Sequence, residues 1–188
     1  MSENATTAQP RTVAPVDRGK LDIKALVLLA ILLAAGFILN MFVGKAISGA
    51  TGGMISPEFI ISAFCLTILV VRPNIGQALV IGLISAAVIQ ITTTSPFIDF
   101  AAEGVAAVVM ALIVKVGMKT PAKKIIPLVG TFVTTVLSGC IFMVIKMAMI
   151  GVVGELAAAM FPVVIATAVF NAILCQALYV PIKKAQIG

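Results

Sequence analysis

The chain has 188 residues, of which 61% are hydrophobic and 11% charged, with a net charge of +6 and a mean hydropathy of +1.21. That is far more apolar surface than a soluble core of this length could hide, so the composition predicts an integral membrane protein. Three cysteines stand singly in apolar runs (Cys65, Cys140, Cys175) and histidine is absent from the sequence, which removes the usual catalytic base and the commonest metal ligand and favours small apolar filler over a disulfide or metal site.

Residues 1–23 are polar, mixed in charge and dotted with Pro, with no apolar segment suited to a cleavable signal; they are expected to be a disordered cytoplasmic tail. Residues 24–188 are expected to form one membrane domain: an all-α compact bundle of six transmembrane helices, with both termini cytoplasmic. The apolar stretches run over approximately 24–43, 57–71, 75–93, 97–117, 124–150 and 157–182, each compared with the roughly 20 residues that cross a hydrocarbon core of ~30 Å.

The breaks between them carry turn chemistry. Ser56-Pro57-Glu58 and Ser95-Pro96 each place a capping hydroxyl before a Pro suited to the first helical position, and Arg72-Pro73-Asn74 separates two runs that would otherwise fuse. Pro121 with Lys119, Lys123 and Lys124 marks another turn.

If six helices alternate in direction, all the Lys and Arg residues fall at one end except Lys45 and Lys146. By the positive-inside rule that end is cytoplasmic. The net charge then reflects topology and not nucleic-acid binding. The same threading gathers Lys45, Glu58, Asp99, Glu103, Lys146 and Glu155, the last placed in the loop between the fifth and sixth helices, at the outer end. Asn40 and Gln90 reach a similar depth.

Charges in a bilayer cost several kcal/mol unless paired or in a wet cavity, so Asp99, Glu103 and Lys146 are candidate functional residues. Glu58 and Asp99 have a simpler reading as complements to the positive end of a helix dipole. Glu103 lies four residues beyond Asp99 on the same helix face, where two carboxylates repel unless one is protonated or a cation lies nearby. Lys146 is expected either to pair with one of these acids or to meet a ligand. Phe42, Phe97, Phe100 and Phe161 are expected to supply apolar walls. The glycine-rich segment 44–56, GKAISGATGGMIS, is expected to be a loop that could cover the pocket.

In the first helix, Ala30 and Ala34 are one turn apart, a spacing that admits close helix approach. Six short helices, this AxxxA and a glycine-rich outer loop resemble the substrate-binding S components of energy-coupling factor (ECF) transporters. Gly52-Gly53-Met54 with Pro57-Glu58, Thr92-Thr93-Thr94 with Pro96, Ile98-Asp99, Ser138-Gly139 with Phe142, and Thr167-Ala168 with Asn171 are most similar to the tryptophan-transporter S components. The resemblance covers about residues 24–182. It implies a multi-pass protein of the prokaryotic cell membrane that captures an extracellular solute, tryptophan or a related aromatic or vitamin-like compound. It also implies that Ala30 and Ala34 contact a transmembrane coupling subunit driven by two cytoplasmic ATPases. The substrate-binding candidates are Asn40, Met54, Glu58, Gln90, Asp99, Glu103 and Lys146.

The chain has no GxxxxGK[ST] phosphate loop, so no cofactor is expected in it and ATP would be used by the partner ATPases. A self-sufficient proton-coupled carrier using Asp99 and Glu103 remains open. An enzyme is not expected, because no reactive constellation stands out.

Overall fold

A computed structural model describes residues 21–52, 57–93, 95–151 and 154–187. Among them the chain forms six main helices: α1 (Ile23–Ala50), α2 (Phe59–Val71), α3 (Ile75–Ile89), α4 (Ile98–Gly117), α5 (Ile126–Ile150) and α6 (Gly154–Ile187), with a single 3-10 turn at Pro121–Lys124. The tail expected over residues 1–23 lies outside the described residues except for its last three. Four helical segments, Ile23–Ala50, Ile98–Gly117, Ile126–Ile150 and Ala157–Ala185, are long and apolar enough to cross a membrane. Among the described residues the chain is all-helical, with several helices whose length and composition suit a membrane span.

The remaining two helices differ in kind. At 13 and 15 residues, α2 and α3 are only about 20 Å long at 1.5 Å per residue, less than a hydrocarbon core of ~30 Å. Every residue of α2 from Phe59 to Leu69 is buried. A helix apolar on every side belongs at the centre of a bundle, and α1, α4 and α6 pack round it, with α3 and α5 in smaller contact. Phe59 meets Phe170 of α6 edge to face, with ring centroids 5.7 Å apart. Large apolar side chains instead remain exposed on the outside of the bundle, among them Ile31, Ile38, Val116, Val144 and Ile173. Such a continuous apolar exterior suits lipid and not water.

Three boundaries differ from the sequence expectation. The first helix does not stop near residue 43. It continues through a π turn, Asn40–Gly44, into Lys45–Ala50, so half of the expected glycine-rich loop is helical. Gly44 permits this because a Cβ there would lie 3.2 Å from Asn40 Oδ1 and 3.3 Å from the Pro57 carbonyl. Glu155, expected in a loop, lies in the first turn of α6.

The third difference concerns helix starts. Neither Pro57 nor Pro96 occupies the first helical position: α2 begins at Phe59 and α4 at Ile98. Before α4, Phe97 sits in the left-handed region at φ 70°, and its N–H donates to Gln90 Oε1 at 3.0 Å. A side chain at the end of α3 thus supplies the acceptor that a local Ser-Pro cap was expected to provide.

Of two further helix starts, one is capped locally and one from a distant helix. Asn74 and Gln77 form a reciprocal capping box at the start of α3. At the start of α5, Gln176 of α6 reaches across, its Oε1 accepting from Leu128 N and its Nε2 donating to the Lys124 carbonyl, both at 3.1 Å. Consecutive helices run antiparallel, and the closest pairings join α3 to α4 and α5 to its neighbours α4 and α6. Gly82 makes the first of these possible: a Cβ there would fall 2.5 Å from the Glu103 carbonyl oxygen.

Candidate functional site

The helix arrangement divides the charges between two ends. Lys24, Arg72, Lys115, Lys119 and Lys183 border one concavity, whereas Lys45, Glu58, Asp99, Glu103 and Lys146 border another. The second is a cavity of about 400 Å³, within the usual range for a small-molecule site. It is built from α1, the residues just before α2, the α3–α4 connection, and one face each of α4, α5 and α6.

The π turn in α1 has a direct consequence here. By inserting one extra residue into the helical repeat it turns Asn40, Gly44, Lys45 and Ser48 onto the cavity wall, and π turns of this kind recur at functional sites. Opposite, Asp99 and Glu103 present from successive turns of α4, 6% and 3% exposed. The Gln90 amide donates to Asp99 Oδ2 at 3.3 Å, and the Ser138 hydroxyl donates to Glu103 Oε1 at 2.9 Å. The other oxygen of Glu103 and Oε2 of Glu58 are buried with no hydrogen-bond partner among the described residues. Buried polar atoms are normally satisfied, so these two point to a missing donor.

Lys146 does not supply it. Its ammonium lies 5.4 Å from the centroid of the Phe142 ring, a cation–π distance, and no contact joins it to Asp99 or Glu103 among the described residues. Of the two expectations for Lys146, the ion pair with these acids is not formed among the described residues; the ammonium stands instead by Phe142, one turn back on α5. Both Lys146 and Phe142 border the cavity.

Of the seven substrate-binding candidates, Asn40, Glu58, Asp99, Glu103 and Lys146 line the cavity. Gln90 is not on its wall; it positions Asp99 and ends its reach at Phe97. Met54 lies outside the described residues, as does the segment 53–56. The aromatic wall also differs from expectation. Phe42, Phe97 and Phe161 are 74%, 76% and 50% exposed on the bundle exterior, and Phe100 is not on the lining. Phe142, Met160, Val163 and Val164 supply the apolar surface instead. Hydropathy gives a depth but not an azimuth, and these four Phe residues share the depth without the face.

Thr92, Thr93, Thr135, Ser138 and Thr167 complete the polar lining. Charge-based reasoning passed over them because hydroxyl residues are common in membrane helices and satisfy themselves on the preceding turn. Comparison with protein-family models, curated proteins and solved structures found no match. The site therefore has to be interpreted from its own geometry.

That geometry is asymmetric. Three carboxyl side chains approach from the residue just before α2 and from α4, and two ammonium groups from α1 and α5. A solute carrying both an ammonium and a carboxylate could engage both sets, and the apolar side at Val163, Val164 and Phe142 is suited to a hydrocarbon or aromatic body. Ala30 and Ala34 lie elsewhere, both exposed on the outer face of α1.

Proposed function

We propose that this chain is the solute-binding subunit of an ECF-type importer in a prokaryotic plasma membrane. It captures a small zwitterionic solute, tryptophan or a related aromatic or vitamin-like compound, from the outer side. The observation that carries this reading is the cavity of about 400 Å³ in which Glu58 and Glu103 retain buried, unpartnered oxygens while Lys146 faces the same space. A ligand ammonium would satisfy the acids and a ligand carboxylate would meet Lys146.

Two further observations support it. The short stretches that carry the resemblance to tryptophan-transporter S components contribute Pro57, Glu58, Thr92, Thr93, Asp99, Ser138, Gly139, Phe142 and Thr167 to one cavity wall. The basic residues gather at the opposite end, which by the positive-inside rule makes that end cytoplasmic and the cavity extracellular. In this reading α2 and α3 complete six spans, Ala30 and Ala34 meet the coupling subunit, and two ATPases outside this chain supply the energy.

The test is ligand-dependent thermal stabilisation of the purified chain. Tryptophan, other aromatic amino acids and common vitamins are compared at concentrations well above the expected Kd, where a specific ligand adds about 2.7 kcal/mol at one hundred times Kd. No stabilisation by any of them removes the main support. The clustering of three carboxyls also favours a second reading, a stand-alone proton-coupled carrier. Uptake into vesicles holding only this chain, driven by a proton gradient without ATPases, would establish that alternative.

A further inference from the structure

The opposite end of the bundle holds a second and larger concavity, about 1210 Å³ in volume. Five cations line it, from separate parts of the chain: Lys24 at the start of α1, Arg72 at the end of α2, Lys115 and Lys119 around the end of α4, and Lys183 near the end of α6. Asp22 is the single acidic residue on its wall. Membrane topology accounts for basic residues at this end, but not for their convergence. Lys123, Lys124 and Lys184 meet the topological need from outside the groove.

One of the two left-handed non-glycine residues among the described residues lies at the same place. Arg72 ends α2 in the left-handed conformation, φ 54° and ψ 57°, with its N–H donating to the Ile68 carbonyl. Glycine occupies such a position at little cost, whereas a residue with a Cβ is strained there. The sequence nevertheless puts an arginine at that point, with its side chain on the groove wall. The start of α3 opens on the same space through Ile75 and Gly76, and the positive end of its helix dipole adds to the field.

Beneath the cations the wall changes character. Ile68, Val71, Val114 and Met118 give the groove an apolar floor, a combination suited to an amphiphile and poorly suited to a free hydrated anion. Lys183 contributes both features, since its ammonium stands 5.6 Å from the centroid of the Tyr179 ring.

We propose that this groove binds an anionic membrane phospholipid, its phosphate headgroup held among Lys24, Arg72, Lys115, Lys119 and Lys183 and its upper acyl chains against the apolar floor. Basic pockets between membrane helices on the side bearing the positive charges are a general means of recognising such headgroups. The lipid would join the ends of α1, α2, α4 and α6, which the described hydrogen bonds do not connect at this level.

The experiment uses the full chain in neutral detergent, with phosphatidylglycerol or phosphatidylcholine of identical acyl chains added to the micelles. Bound lipid is counted by native mass spectrometry and stabilisation by thermal unfolding. Phosphatidylglycerol should be retained at least about tenfold better than phosphatidylcholine and raise the unfolding temperature. The double variant Arg72→Gln/Lys115→Gln should lose that preference, whereas Lys123→Gln/Lys124→Gln, which removes the same charge outside the groove, should keep it. If the Arg72 variant does not fold, Lys115→Gln/Lys119→Gln, at two exposed positions, reads the same effect. Equal retention of the two lipids, or equal loss in the groove and control variants, overturns the proposal. So does displacement of phosphatidylglycerol by inorganic phosphate, which would define a free-anion site.

Discussion

The hydroxyl of Ser138 on α5 donates to Glu103 Oε1 on α4 at 2.9 Å, and both residues are at most 3% exposed. It is the one described hydrogen bond to Glu103, and it couples the two helices at the cavity wall. Ser138→Ala should therefore destabilise the chain by about 1–3 kcal/mol, the cost of leaving a buried polar group unmet. Glu103→Gln keeps an acceptor for the same hydroxyl, so its unliganded unfolding temperature should stay close to wild type. Its affinity for a solute bearing an ammonium should fall by at least about tenfold, as expected for loss of a charge-assisted bond. Calorimetric unfolding and ligand titration of the two variants separate these outcomes.

Lys146 is held by Phe142 and not by an acid. Lys146→Gln should leave stability nearly unchanged, since no ion pair is broken, while weakening a carboxylate-bearing ligand more than about tenfold. Titration with a ligand and with its amide or ester analogue reads this directly: the analogue, lacking the carboxylate, should bind the variant and wild type alike. Unchanged affinity for the parent ligand would exclude Lys146 from recognition.

Gly82 offers a structural test of how closely α3 must approach α4. A Cβ at this position would meet the Glu103 carbonyl oxygen at 2.5 Å and Ala107 Cβ at 2.7 Å, and both neighbours are fixed by the helix. Gly82→Ala should lower stability by about 1–3 kcal/mol through overpacking and displace Glu103 from its partner. Gly49→Ala is the contrast, because nothing lies within 4 Å of its added Cβ. As an exposed helical position it should gain about 0.5–1 kcal/mol. Thermal melts of the pair in one detergent suffice.

Ala30 and Ala34 are both exposed on α1, away from the cavity. On the proposed importer reading, substituting Leu at both positions should abolish uptake in the presence of the coupling subunit and ATPases while leaving ligand affinity of the isolated chain within about twofold, since distant sites are nearly additive. Loss of uptake and binding together would instead indicate misfolding.

Gln90 bridges two helices through one amide, accepting from Phe97 N and donating to Asp99 Oδ2. Gln90→Leu removes both bonds at similar volume and should weaken ligand binding through Asp99 without altering any group on the cavity wall. Gln90→Glu retains the acceptor for Phe97 but places a carboxylate beside Asp99, so it should lower affinity further if Asp99 is the group that Gln90 positions. Parallel titration of the two variants checks the order.

The depth of each charge was legible because hydropathy and the distribution of Lys and Arg fix where a residue lies along a helix. Asn40, Glu58, Asp99, Glu103 and Lys146 were gathered on that basis, and all five line one cavity. Which side of a helix a residue occupies was less legible. Phe42, Phe97 and Phe161 lie at the same end yet face outward, since a helix apolar all round carries little rotational signal. The continuation of α1 to Ala50 was hidden for a related reason: Gly44 and Gly49 resemble loop residues, and only the nearby Pro57 carbonyl shows that Gly44 serves a close contact within a helix.

Composition by itself determined that this chain is apolar enough for a membrane, because 61% hydrophobic residues and a mean hydropathy of +1.21 exceed what a soluble core of this length could hide, and the lengths of the apolar runs pointed to helices. Residue order determined that most of the basic residues gather at one end and Glu58, Asp99 and Glu103 at the other. Only the structure decided the pairings: Ser138 with Glu103 across two helices, Gln90 with both Phe97 and Asp99 across one turn of the chain, and Lys146 with Phe142 along a single helix. The first of these depends on how the helices are rotated against one another, and small residues such as Gly82, whose added Cβ would meet the Glu103 carbonyl, set how closely the backbones approach.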